Sequence, residues 1–280
     1  MAYVPQRFRY YYDEILNLRP YHVTTFGNYA RIFEYGMMFS KNVLKEKGIE
    51  HVDLGTYPGF GTGPRYLFYD VKVEEDRVEY RFRNVSESVN LDDYVRFFLF
   101  IGRSRSPKYF YMMCEKLLKV KEPIIVLVLK KLRDLTKYFE EKDVEYLIVY
   151  GPGAGYGQFF NNIHDFALWA ALPSPNPLKC ALHYYLENKD VGVQREYYDR
   201  ILASEFCIKN QCSSDIIYKV CIYVPKKGSE EIKESEEGKE LAYIILELLR
   251  DSKLHFNVVE DTSEIVKDLW SVIYGRKVHV

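Results

Sequence analysis

The chain has 280 residues, and its 39 lysines and arginines nearly balance its 40 aspartates and glutamates, so the net charge is −1. This balance predicts that nucleic acid is an unlikely partner, because binding a phosphate backbone needs a clustered positive excess. No segment has the roughly 20 apolar residues that a membrane-spanning helix requires, and the N-terminus lacks the apolar core of a signal peptide. We therefore expect a cytoplasmic protein that does not associate with membranes.

The first third of the chain predicts short elements followed by a hairpin. The expected elements are a helix over 10–18, a strand over 22–26, a long helix over 29–47 capped by Gly48, and a strand over 49–54. A glycine-rich segment at 55–63 precedes two strands, over 65–73 and 77–85, whose apolar and polar residues alternate. We interpret 55–90 as an insertion into the surrounding fold.

The centre of the chain alternates apolar strands with amphipathic helices. The strands are expected over 95–101, 124–129 and 144–150, with a helix after each and the last helix over 159–172. Strands that are apolar on both faces and separated by helices predict an α/β fold with a parallel sheet, a three-layer flavodoxin-like or Rossmann-like arrangement. Ligands of such sheets bind beyond the carboxyl ends of the strands. The loops at 102–107 and 151–157 therefore predict a small-molecule pocket.

The proline-rich segment at 173–177 is the predicted boundary between two domains. Residues 1–172 would form the main α/β domain, and 173–280 a second, smaller α/β unit. In that unit we expect helices over 178–187 and 194–206, strands over 218–224 and 254–259, a helix ending near 250 and a last helix over 264–274.

The loop after the first central strand has the composition of an anion site. Arg103, Ser104, Arg105 and Ser106 stand directly before Pro107, and proline is favoured at the first position of a helix. The free N–H groups and the dipole of a helix N-terminus attract phosphate, and arginine binds phosphate through two hydrogen bonds. The loop predicts a phosphorylated small molecule as partner. The alternative is that Ser106 only caps the helix and both arginines face solvent.

A second loop carries glycines at 151, 153, 155 and 157. Glycine lets the backbone approach a ligand closely, or it simply permits an irregular turn. We take Gly153 and Gln158 as pocket residues. The spacing matches neither a Walker loop nor a dinucleotide fingerprint, but nucleotide binding through this loop stays open as an alternative function.

The order of strand, serine-containing loop, helix and strand over 21–172 resembles the sugar isomerase (SIS) domain, and its spacing is similar to the archaeal phosphoglucose/phosphomannose isomerases. The Ser-x-Ser-Gly-x-Thr phosphate loop of that family falls on 102–107, where its second serine is Ser104 and its threonine is replaced by Pro107. The Gly-x-Gly-Gly-Ser turn falls on 25–29, so the resemblance adds Gly27 and Asn28 to the phosphate-binding residues.

The resemblance implies a phosphosugar-binding homodimer that interconverts the aldose and ketose forms of a hexose 6-phosphate. The alternative within the same fold is a degenerate, non-catalytic SIS-like or Rossmann-like module with a regulatory or structural role. The aromatic stripe at 109–113 also suits a dimer surface.

Isomerisation needs a carboxylate that moves a proton and an imidazole that assists ring opening. His183 and Glu187 lie four positions apart on a predicted helix and so share a face. They are the predicted catalytic pair, although the same spacing is typical of a solvated helix pair. The other candidates that stay open are Glu196, Glu205 and the pair of His164 with Asp165.

The histidines and cysteines predict no metal site, and no cofactor is expected. The six histidines are scattered and the five cysteines include no CxxC pair, whereas zinc sites need closely spaced ligands. We expect the cysteines to be buried core residues. The abundance of charged residues is a trend of thermophilic proteins, in which Cys207 and Cys212 could form a disulfide.

Overall fold

The computed structural model describes residues 6–52, 65–74, 77–84, 89–99, 108–150, 157–171, 204–226, 239, 243 and 253–274. The helices are α1 (Gln6–Leu16), α2 (Phe26–Tyr35), α3 (Lys41–Glu46), α4 (Lys108–Lys119), α5 (Leu132–Lys142), α6 (Ile163–Ala171) and α7 (Thr262–Tyr274). The strands are β1 (Tyr21–Thr25), β2 (Met37–Phe39), β3 (Arg65–Glu74), β4 (Arg77–Asn84), β5 (Tyr94–Phe98), β6 (Ile124–Leu129), β7 (Tyr146–Tyr150), β8 (Gly157–Phe160), β9 (Glu205–Lys209), β10 (Gln211–Ser213), β11 (Ile217–Pro225) and β12 (Leu254–Val259). None of the described helices has the length and apolar character needed to cross a bilayer.

These elements confirm the predicted α/β class, but the sheet differs from the predicted one. Ten strands pair in the order β12-β11-β6-β1-β5-β9-β7-β8-β3-β4. The pairs β11–β12 and β3–β8 are parallel, whereas β1 is antiparallel to both β5 and β6, and β9 is antiparallel to β5 and β7. The predicted parallel pairing is therefore found in only part of the sheet, and the central strands β6, β1, β5, β9 and β7 pair antiparallel. Continuous apolar runs report burial on both faces, and they carry no information about strand direction.

The burial of both faces explains why the strands are so uniformly apolar. Every residue of β6 is buried; alternate side chains join a core cluster with α1, α5 and α6, and the others join a second cluster with α4 and α7. Helices on both faces exclude water from the sheet, and this burial is the main stabilising term of such a layer structure.

The region between β1 and β3 differs from the single long helix predicted over 29–47. Gly36 adopts a left-handed conformation with φ 63°, and its N–H donates to the carbonyl of Phe33, which ends α2. The chain then forms β2, which pairs antiparallel with β10, before Ser40 caps α3. Apolar periodicity alone did not reveal this break, because it continues on both sides of Gly36.

Replacing Gly36 by alanine should lower the free energy of unfolding by about 1 kcal/mol, because an L-residue is strained in the left-handed region. A Cβ at Gly36 would meet no atom within 4 Å, so the effect is conformational and not steric. Gly27 offers a matched control: a Cβ there also meets open space, and Gly27 lies in α2, where alanine is the better helix former. Chemical denaturation should show G36A destabilised and G27A unchanged or stabilised. Equal effects of the two substitutions would contradict this account of the turn.

Two further elements differ from the sequence expectations. The segment that was predicted to be helical up to residue 206 contains the start of β9, a strand buried on both faces between β5 and β7. The predicted helix over 159–172 begins later, because Gly157–Phe160 is strand β8. The hairpin of β3 and β4 is confirmed, and it extends the sheet through the pairing of β3 with β8. The predicted domain boundary at 173–177 lies outside the described residues.

Candidate functional site

The candidate site is a gap in the sheet between β1 and β5. Strand β1 pairs with β6 over its whole length, from Tyr21 to Thr25. On its other side, β1 pairs with β5 only through Tyr21 and Phe98. The two strands therefore diverge beyond this point. A pocket of about 250 Å³ occupies the gap, with walls from α2, β2 and the segment 49–52 and with Glu205 of β9 among its lining residues.

The floor of the pocket holds a charge pair with two hydrogen bonds. Arg96 Nε lies 2.7 Å from Glu205 Oε2, and Arg96 Nη2 lies 2.9 Å from Glu205 Oε1. In the antiparallel pair of β5 and β9, Arg96 is opposite Cys207, so Arg96 and Glu205 are diagonal neighbours on the same face. The side chain of Glu205 is 4% exposed and that of Arg96 is 23% exposed. A carboxylate this deeply buried needs hydrogen-bonding partners, and Arg96 provides them.

His22 stands on β1, across the gap, and is linked to the same arginine. Its Nδ1 lies 2.9 Å from the carbonyl oxygen of Arg96. A carbonyl only accepts hydrogen bonds, so Nδ1 carries the proton and Nε2 keeps its lone pair. Burial lowers the pKa of His22 below its ordinary value, which favours this neutral form at neutral pH. No described residue bonds to Nε2, and the partly exposed imidazole lines the pocket.

The walls combine aromatic rings with cationic side chains. Tyr35 and Phe39 line the pocket with their ring centroids 5.9 Å apart at 71°. Burial raises the pKa of Tyr94 to about 12, with Glu145 adding to the effect, so the Tyr94 hydroxyl remains a hydrogen-bond donor. Further lining residues that carry or can carry a positive charge are Arg31, Lys41 and His51. The pocket therefore offers acceptors at its floor and cations and aromatic faces on its walls.

The structure describes two of the residues predicted from sequence to bind phosphate, and only one of them lines this pocket. Asn28 lines it, and its side chain is bonded to the backbone of Val52. Gly27 is exposed in the first turn of α2. Gln158 lies on β8 opposite Tyr150, and its side chain is not among those described. The predicted residues Arg103, Ser104, Arg105, Ser106, Gly153, His183 and Glu187 lie outside the described residues.

Glu205 was only one of several alternatives for a catalytic carboxylate, and sequence reasoning did not select His22 or Arg96. The available signal was an ionisable residue inside a short apolar strand, which needs a partner or a function. His164, another alternative, is hydrogen-bonded to the Tyr12 hydroxyl at 2.6 Å, a contact that joins α6 to α1.

A second group of polar side chains, and buried cysteines, lie elsewhere in the described parts of the chain. Asp268 accepts hydrogen bonds from the hydroxyl of Tyr223 at 2.8 Å and binds His255 Nε2 at 2.7 Å, which ties α7 to the sheet. Cys207 and Cys212 are free and buried, and burial raises the pKa of both thiols. No three histidine, cysteine or acidic side chains among the described residues are grouped so that they could hold a metal ion.

Comparison with known proteins gives structural neighbours only, since no family model and no curated protein matches the sequence. Thermus sp. 2.9 DarT in complex with carba-NAD+ is similar with a TM-score of 0.45 and 13% identity, over 88% of this chain and 97% of that chain. The same protein in complex with ADP-ribosylated ssDNA has a TM-score of 0.45 and 12% identity, over 87% and 95%. Thermosipho africanus DarTG in complex with ADP-ribose has a TM-score of 0.47 and 13% identity, over 89% of this chain and 51% of that chain.

These findings correct the sequence interpretation. The resemblance to the SIS domain is wrong, because it requires a parallel sheet and the central strands are antiparallel. The neighbours reported above are DarT and DarTG structures and not sugar isomerases. The expected phosphosugar isomerase activity is withdrawn with it. The expectation that nucleic acid is an unlikely partner is not kept, because it rested only on the charge balance of the whole chain; one of the neighbours above was solved with ADP-ribosylated ssDNA.

Proposed function

We propose that the pocket between β1 and β5 binds a nucleotide and that its floor acts on the ribose. Two acceptor groups that Arg96 holds in place carry the proposal. The Arg96 guanidinium binds the carboxylate of Glu205, and the Arg96 carbonyl accepts from Nδ1 of His22, which leaves the lone pair on Nε2. A ribose presents neighbouring hydroxyl groups, each of which can donate a hydrogen bond to such an acceptor.

The walls favour a nucleotide over a sugar phosphate. Tyr35 and Phe39 give the pocket aromatic faces, on which a planar base can stack. Arg31 and Lys41 line the same pocket and supply positive charge for phosphate oxygens. A hexose phosphate has no planar group, so it would leave the aromatic surface without a partner.

The reaction that suits this floor is cleavage of a bond between the ribose and a base that is already cationic. When such a bond breaks, C1′ acquires oxocarbenium character, and a buried carboxylate stabilises that positive charge. The imidazole of His22 is held neutral with its proton on Nδ1, so it is not a proton donor to a leaving group. The nicotinamide of NAD+ needs no such donor, because the electron pair of the C1′–N bond neutralises its own positive charge. An acceptor nucleophile then forms the new bond at C1′ and releases a proton.

NAD+ and ADP-ribose are accordingly the first ligands to test. We expect millimolar NAD+ and ADP-ribose to raise the melting temperature of the protein through linkage, and glucose 6-phosphate to leave it unchanged. Release of nicotinamide from NAD+ should be measured in parallel, with water alone and with a single-stranded oligonucleotide as acceptor. A shift with glucose 6-phosphate but with neither nucleotide would contradict the proposal.

A further inference from the structure

The amide of Asn28 forms a reciprocal pair of hydrogen bonds with the backbone of Val52. Asn28 Nδ2 donates to the Val52 carbonyl at 2.9 Å, and the Val52 N–H donates to Asn28 Oδ1, also at 2.9 Å. This pairing reproduces, with one side chain, the exchange of N–H and C=O that joins two residues of neighbouring strands. Asn28 therefore serves as the partner of a segment that pairs with none of the described strands.

The segment held in this way is one wall of the proposed nucleotide pocket. Ile49, His51 and Val52 all line the pocket. Val52 is 52% exposed, so apolar burial contributes little to its position. At the other end of the wall, the Ile49 N–H donates to the carbonyl of Leu44 at 2.9 Å.

Asn28 is itself fixed to the strand that carries His22. Its backbone N–H donates to Oγ1 of Thr25 at 3.2 Å, and Thr25 is the last residue of β1 and the N-cap of α2. Asn28 therefore fixes the position of the 49–52 wall relative to β1. A wall that is positioned before the ligand arrives does not have to be ordered on binding, which preserves affinity.

We infer that Asn28 is a positioning residue: it holds the 49–52 wall against β1 so that the nucleotide pocket exists before ligand binds. The inference rests on the proposed function for the identity of the ligand, but not for the placement of the wall. It replaces the sequence prediction that Asn28 binds phosphate directly, because both ends of its amide are engaged with Val52.

The test compares Asn28→Ala with wild type in two measurements, amide hydrogen exchange of Val52 and the dissociation constant for ADP-ribose. We expect N28A to accelerate exchange at Val52 and to weaken ADP-ribose binding by about tenfold, the effect of losing a pair of hydrogen bonds. Asn162→Ala is the matched control, since Asn162 also accepts two backbone hydrogen bonds, from His164 at 2.8 Å and Asp165 at 3.2 Å. N162A should lower the melting temperature without changing the dissociation constant.

The possible outcomes separate the inference from the function on which it rests. Weakened binding with unchanged exchange at Val52 would mean that Asn28 contacts the ligand directly, which overturns the positioning role. Faster exchange with unchanged affinity would overturn it as well, because the wall would then not belong to the site. If wild-type protein binds no nucleotide, the proposed function fails, and the exchange of Val52 in N28A still decides whether Asn28 holds the wall.

Discussion

Glu205→Gln should reduce the release of nicotinamide from NAD+ by about 100- to 1000-fold, the range for removing one electrostatic contact to a developing charge. Glutamine keeps the shape of the side chain but removes the negative charge that we propose stabilises C1′. It also replaces one of the acceptors of the Arg96 guanidinium by an N–H donor. Binding of ADP-ribose should change much less than the rate, because the carboxylate acts mainly on the charge that develops as the glycosidic bond breaks.

The matched control is Glu260→Gln, which removes an exposed carboxylate whose ion-pair partner is Lys226. Exposed pairs of this kind contribute little to stability, and Glu260 is not among the pocket residues. Both variants should be compared with wild type by circular dichroism and by nicotinamide release. A Glu205→Gln protein that is folded and retains a wild-type rate would exclude Glu205 from the reaction.

His22→Asn should weaken ADP-ribose binding by about 10- to 100-fold while the fold is retained, with His22→Ala losing both ligand affinity and stability. Asparagine can donate from its side-chain amide to the Arg96 carbonyl, as Nδ1 does in wild type, but it provides no acceptor at the position of Nε2. Loss of one hydrogen bond to a desolvated group corresponds to about 1–3 kcal/mol. Alanine, in addition, leaves the Arg96 carbonyl without this donor. Titration calorimetry with ADP-ribose and thermal denaturation measure the two effects separately.

The pH dependence of stability provides a second test of His22. Its folded-state pKa lies below the ordinary value of 6.5, so between these two pKa values the unfolded chain binds more protons than the folded protein. The contribution of His22 to the free energy of unfolding should therefore be constant above pH 6.5 and should fall as the pH drops below 6.5. His22→Asn should lack that part of the decrease. Parallel pH profiles for the two proteins would contradict a neutral His22 imidazole with a lowered pKa.

The parts of the fold that the sequence predicted are those set by local pattern. The hairpin of Arg65–Glu74 and Arg77–Asn84, the strand Ile124–Leu129 and the helix Leu132–Lys142 all follow from their own periodicity and turn residues. The direction of a strand cannot be predicted from its own residues, because it depends on the path of the chain between that strand and its neighbours. The strand character of Glu205–Lys209 was missed for a similar reason, since its neighbours β5 and β7 decide its conformation.

The candidate site was even less accessible to sequence reasoning. Arg96 and Glu205 are separated by 109 positions, and no local motif joins them. The order of strands in the sheet places these two residues side by side. The same order places β1 next to β5, where the strands pair only at Tyr21 and Phe98 and His22 reaches the carbonyl of Arg96. Only the presence of an ionisable residue within a short apolar strand pointed in this direction, and that signal does not identify the partner.

The most direct test of the account is the crystal structure of the protein with ADP-ribose. We predict that the nucleotide occupies the gap between β1 and β5, with ribose hydroxyl groups within hydrogen-bonding distance of His22 Nε2 and of the Glu205 carboxylate. The base should lie against the aromatic wall that includes Tyr35 and Phe39. Density for the nucleotide at another surface, with this gap free of ligand, would contradict the central claim.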